Sequence, residues 1–290
     1  ETLATEHEYF VAPSIYTEEV IAHLRKEISN AEAIIKPLEN SAGRNEKLYV
    51  ERMKFTRLSF DVLDAYMSMV RLAGTDINYA AAVAAGERGL AAREKLTQMN
   101  STFTTYKQIG ESGYAWWPGE VQQYRELIPW VDGTKGTLVA KLPVSWSFRR
   151  DPDNIGTKEN WATSFDASQW TTLRSDLYVQ AQGVVTEDYQ SYTGQLWYST
   201  EIELTAEQIE GNIHLKFPGI FNEGWLFVNG QEVGYRPFKG LWWLNDYRFE
   251  WDVDLKGKLS SGRNRLTLRL NNPHHFGGMF RTPFLYRAKE

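Results

Sequence analysis

All eleven tryptophans of this 290-residue chain lie at or after Trp116, and only four of its 22 glycines precede position 105. Tryptophan favours pleated, half-buried surfaces, and glycine favours tight turns. Confining both to one half of a chain means two architectures in series. Hydrophobic periodicity says which two.

The N-terminal part reads as helices. Thr17 is an N-cap candidate, with Glu18 and Glu19 in the first turn, where the helix dipole favours acidic groups. Ile21, Leu24, Ile28, Ala31 and Ile35 then repeat at three and four, and Pro37 with Asn40–Gly43 closes that helix. The second helix is expected from about Arg44 to Leu72. It carries one stripe through Phe55, Leu58, Val62, Ala65, Met69 and Leu72, and another through Phe60, Leu63, Met67 and Val70. Two apolar faces suit the central member of a bundle. A third, alanine-rich helix is expected after a cap at Asp76. A less regular element is expected around Glu120–Leu127.

From about Gly136 the pattern changes to strands, so the switch should fall between Phe103 and Gly136. Arg265–Asn271 alternates, with Leu266, Leu268 and Leu270 on one face. Asn229-Gly230 after Leu226–Val228 is a strong hairpin signal, because both turn positions need positive φ. Further strands are expected at Thr137–Lys141, Ser145–Arg149, Leu196–Leu204, Asn212–Phe217, Arg248–Val253 and Met279–Arg287. Many short strands between Gly, Asn and Pro turns predict a sandwich or jelly roll. The expected domains are a helical bundle over 1–105, a connector over 106–135 and a β-sandwich over 136–290.

Several functions are disfavoured at once. The net charge is −5, with no basic run fit for a nucleic-acid arm or a polybasic membrane patch. No apolar run approaches the roughly 18–20 residues of a membrane span. Without cysteine there is no disulfide and no thiolate metal site. Glu1–Glu8 lack the basic and apolar regions of a secretory leader. No HExxH, GxSxG or Gly-rich phosphate loop occurs.

The C-terminal half resembles the sugar-binding jelly-roll domain, of galactose-binding-like fold, found in family-2 glycoside hydrolases. The resemblance begins at Trp146–Phe148–Arg149, Asp151–Pro152–Asp153–Asn154–Ile155–Gly156, Trp161, Phe165–Asp166, Ser168 and Trp170. It continues in order through Gly194–Tyr198, Trp225–Gly230, Val233–Gly234, Trp251–Val253, Gly262–Leu266, Asn271 and Gly277–Arg281. The helical half, through Phe10–Thr17 and Glu51–Met53, is similar to a region that precedes such a sandwich in large bacterial proteins with an α-glucuronidase-like barrel upstream. This implies the C-terminal part of a multidomain carbohydrate-active protein, extracellular or periplasmic, whose partners are a poly- or oligosaccharide and an upstream catalytic barrel. In that family the acid and nucleophile belong to a barrel, and this chain shows no barrel pattern. Sugar contact or domain packing is therefore expected, and hydrolysis is not.

Two loops join aromatic rings to polar groups. Tyr235–Trp243 offers Arg236 and Lys239 as hydrogen-bond donors to hydroxyls or to a uronate, and Trp242 and Trp243 as stacking faces. Asn271–Gly278 offers His274 and His275, with two glycines that let backbone approach a ligand. The competing reading makes the histidines a structural loop, or a metal site if the loop turns both inward, and makes the tryptophans core or interface. Trp116 and Trp117 are read as an aromatic wedge between the halves. Asp151, Asp153 and Asn154 are either a turn or oxygen ligands for a structural calcium. Asp252 is expected to make a structural hydrogen bond. The function expected is accessory carbohydrate binding; the alternative is a purely structural module that orients a barrel or mediates oligomerisation.

Overall fold

The computed structural model describes residues 8–100, 116–188, 190–241, 248–274 and 277–289, leaving aside the side chains of 8–10 and 116–118. These residues fall into two compact units. One holds Leu127–Glu290 with the short pieces Glu1–Ser14 and Gly74–Ile77; the other holds Ile15–Ala73 and Asn78–Glu126. No helix among the described residues is long and apolar enough to cross a membrane.

The helices are α1 (Glu8–Ile15), α2 (Glu18–Ile35), α3 (Arg44–Gly74), α4 (Tyr79–Met99) and α5 (Trp116–Val131). Thr17 caps α2 as expected, its side chain accepting from the Val20 backbone N–H at 3.3 Å. Helices α2 and α3 run antiparallel, because Glu18 meets Arg71, Arg25 meets Asp64 and Glu32 meets Arg57. No residue of α3 from Arg57 to Val70 is fully exposed, as a central helix requires. Tyr79 of α4 stacks on Tyr124 of α5 with ring centroids 5.8 Å apart.

Two helical expectations are corrected. The cap of α4 is Asn78, not Asp76: Asn78 Oδ1 accepts from the Ala81 N–H at 3.1 Å. Replacing Asn78 by Ala is expected to cost about 1 kcal/mol, readable by thermal unfolding. The element around Glu120–Leu127 is no irregular piece but the 16-residue helix α5, which keeps Pro129 inside it.

The strands are β1 (Gly136–Lys141), β2 (Ser145–Asp151), β3 (Thr171–Arg174), β4 (Gly194–Leu204), β5 (Ile213–Phe217), β6 (Gly219–Phe221), β7 (Glu223–Val228), β8 (Gln231–Arg236), β9 (Trp251–Asp254), β10 (Gly262–Asn272), β11 (Gly278–Arg281) and β12 (Phe284–Ala288). They form an antiparallel sandwich of a six-stranded sheet, β3-β2-β4-β10-β7-β8, and a four-stranded sheet, β1-β12-β5-β9, with β6 and β11 paired separately. The expected class, helices followed by a β-sandwich, is the observed one. The core lies between the sheets: Phe148, Leu196, Tyr198, Leu226, Leu266, Leu268 and Leu270 from the larger meet Ile213, Leu215, Phe217 and Leu285 from the smaller. Full burial of each such side chain stabilises by roughly 1.5–3 kcal/mol. Asn229 and Gly230 turn the β7–β8 hairpin with φ of 51° and 83°.

Besides shifts of one or two residues at strand ends, four larger differences appear. Met279–Arg287 is two strands, because Thr282-Pro283 interrupts the ladder and β11 and β12 join different sheets. The strand expected from Arg248 begins at Trp251. Strands β3 and β6, four and three residues long, were not anticipated.

Candidate functional site

Both loops singled out by sequence adjoin Phe221–Asn222, at one end of the sandwich. Asn222 Nδ2 donates to the Lys239 carbonyl at 3.0 Å, and its Oδ1 accepts from the Lys239 N–H at 3.3 Å. On the other side the Phe221 ring lies 6.2 Å from the His274 ring, edge to face. Val179, Gln180 and Tyr192 complete this end. The Val179 N–H donates to the Gly277 carbonyl at 3.2 Å, the Gly277 N–H donates to Gln180 Oε1 at 3.1 Å, and Asn272 Nδ2 donates to the Tyr192 carbonyl at 3.3 Å. Gly277 has φ of 151°, and a Cβ there would sit 2.1 Å from Asn272 Oδ1, so only glycine fits. Among the described residues, Asn272 Oδ1 and Gln180 Nε2 are buried here without a hydrogen-bond partner.

The structure therefore brings Arg236, Lys239 and His274 to one end. Trp242, Trp243 and His275 lie outside the described residues, as do the side chains of Trp116 and Trp117. Arg236 differs from its expected role. It is 3% exposed, and its Nη1 donates to the Asn222 carbonyl and, at 3.1 Å, to Asn222 Oδ1. The cause is a bulge in the β7–β8 hairpin, where the register shifts between Leu226 and Phe227. One extra residue exchanges the faces of everything beyond it. Tyr235 is turned out and Arg236 in, so Arg236 positions the loop rather than meeting solvent.

Asp151 is 1% exposed, and its carboxylate accepts from the Ile155 N–H at 2.8 Å, the Gly156 N–H at 2.9 Å and Trp197 Nε1 at 3.0 Å. Asn154 Oδ1 accepts from Arg269 Nη2 at 3.0 Å, while Asp153 is exposed. This set does not suit calcium. Its buried oxygens already face N–H donors, and a guanidinium stands where a cation would be repelled. Among the described residues, no group of three or more His, Cys, Asp or Glu is placed to hold a metal.

Two features escaped the sequence. The first crosses the outer face of the larger sheet. Arg149 pairs with Trp197, Trp197 with Arg269, Arg269 with Trp225, and Trp225 with Tyr235, so cations and aromatics alternate over four strands and a second aromatic ends the row on the fifth. The Arg149 guanidinium lies 3.8 Å from the Trp161 ring centroid, and that of Arg269 lies 4.4 Å from Trp225. Such contacts contribute about 0.5–2 kcal/mol each. Burial pulls the Arg269 pKa below its ordinary value, and the charges of Asp151, Glu223 and Glu232 oppose that shift. The loop between Asp151 and Trp170 packs on this face, with Trp161, Ala162, Ile155 and Trp170 clustered with Trp197 and Phe227.

The second is a polar cluster on the smaller sheet. Asp252 accepts from the Tyr286 hydroxyl at 2.8 Å and pairs with His214 Nδ1 at 2.7 Å, and the His214 ring stacks on Tyr286. Burial, then the hydrogen bond to Asp252, pushes the Tyr286 hydroxyl above its ordinary pKa. Asp252 thus makes the structural bond expected of it.

No family model matches the chain. Similar solved structures include the β-glucuronidase of Ruminococcus gnavus and its complexes with D-glucaro 1,5-lactone and with D-glucuronic acid. Each shows a TM-score of 0.45 and 20% identity, covering 54% of this chain and 29% or 30% of the enzyme chain. The chain thus spans under a third of the length of the structures it matches.

Proposed function

We propose that the chain is the accessory carbohydrate-binding part of a polysaccharide-processing, glycoside-hydrolase-type protein, and that the Phe221–Asn222 end of its sandwich contacts sugar. The carrying observation is the convergence there of the two loops with two buried, unpartnered polar atoms, Asn272 Oδ1 and Gln180 Nε2. Buried polar atoms without partners call for a water or a ligand. Catalysis would come from an upstream barrel, and the setting would be extracellular or periplasmic, as the sequence resemblance implies. Affinity should be weak, roughly micromolar to millimolar on the free-energy scale.

The test is a glycan array followed by titration calorimetry with His274→Ala and Lys239→Ala. Both should weaken binding about three- to tenfold at an unchanged melting temperature. Full affinity in both would remove this end as the site. The second reading, a module that only orients a barrel or self-associates, is favoured by Arg236, whose buried guanidinium serves Asn222. Absence of binding to every glycan would select it.

A further inference from the structure

The Arg–aromatic rung ends on the outer sheet face in an exposed tyrosine, Tyr235. Trp225 and Tyr235 are cross-strand partners with ring centroids 5.2 Å apart and planes tilted by 35°. Tyr235 is 49% exposed on the edge strand β8. Arg269 backs the indole. Its Nε donates to Gln195 Oε1 at 2.9 Å, its Nη1 to Thr157 Oγ1 at 3.0 Å and its Nη2 to Asn154 Oδ1 at 3.0 Å, so it props the ring rather than reaching outward.

Carboxylates flank the two rings. Glu223 accepts from the Tyr235 hydroxyl at 2.7 Å and from Asn271 Nδ2 at 3.0 Å, which fixes its orientation. Glu232 stands opposite Phe227 on the same face, one rung on, and is exposed. An exposed ring offers a flat apolar plane to the C–H face of a pyranose, and an oriented carboxylate accepts hydrogen bonds from hydroxyls. Two carboxylates beside that plane repel a third.

We infer that Trp225 and Tyr235 form a second glycan-binding platform, selective for neutral pyranoses over uronates. It stacks a ring on the exposed Tyr235, which Trp225 backs, and directs hydroxyls to Glu223 and Glu232. This surface is on the sheet face and adjoins the loop-end site at Glu223 and Asn271, so separate substitutions, Tyr235→Ala and His274→Ala, tell the two apart.

The experiment is calorimetric titration of the whole chain with cellohexaose, mannohexaose and xylohexaose, and with the glucuronic acid counterpart of cellohexaose. At least one neutral hexamer should bind, and the acidic hexamer should bind at least about tenfold more weakly than cellohexaose. Tyr235→Ala should weaken neutral binding about five- to tenfold at unchanged melting temperature, while Tyr235→Phe, which keeps the ring, retains most of it. Glu232→Gln should narrow the neutral-to-acidic gap. Failure of all three neutral hexamers, wild-type affinity in Tyr235→Ala, or equal binding of the acidic hexamer would each overturn the platform. Loss of binding in His274→Ala but not in Tyr235→Ala would leave the loop-end site and remove this one.

Discussion

Replacing Asp151 by Ala is expected to destabilise the sandwich by about 3–5 kcal/mol. Its carboxylate holds two backbone N–H groups and the Trp197 indole N–H, and among the described residues it is their acceptor. Alanine leaves the donors without their acceptor in a region where water enters poorly. Asp151→Asn keeps one acceptor oxygen and sets an amide against the remaining donors, so roughly half of that loss should remain. Denaturant unfolding followed by tryptophan fluorescence reads both. A loss below about 1 kcal/mol for Asp151→Ala would show that the loop from Asp151 to Gly156 is held by something else.

The second large effect is expected at Arg236. Arg236→Ala should cost about 2–4 kcal/mol, because it empties a packed position and leaves the Asn222 and Glu250 carbonyls short of a donor. Arg236→Met, which restores the stem but not the donors, should recover part of that cost. Glycan affinity of the folded variant should fall only through loosening of the 236–241 loop. A normal melting temperature with lost glycan binding would instead make Arg236 a direct sugar contact.

Much of the fold was legible because its signals are local. The α2 stripe, the cap at Thr17 and the Leu266–Leu268–Leu270 alternation each lie within one element. So does the turn at Asn229-Gly230. Helix α5 was obscured by Pro118, Gly119 and Pro129, which lower helix propensity and are overridden by packing. Strands β3 and β6 are too short to show a period.

The candidate site was legible only in part. Sequence marked the two loops, and both do adjoin Asn222, but it read Arg236 as a loop donor, whereas the structure places it at the buried end of β8. A two-residue hairpin without a bulge would have turned Arg236 outward and Tyr235 inward. The extra residue at Val233 reverses this, and no local signal announces it. The Arg149–Trp197–Arg269–Trp225–Tyr235 rung was invisible for a related reason. Its members come from five strands, and only the cross-strand register brings them into line.

The most direct test of carbohydrate binding is titration of the intact chain against neutral and acidic oligosaccharides, with melting temperature recorded for every variant. Saturable, weak binding is expected, and His274→Ala or Tyr235→Ala should reduce it without unfolding the sandwich. Binding to no glycan, or binding that survives both substitutions unchanged, would contradict it.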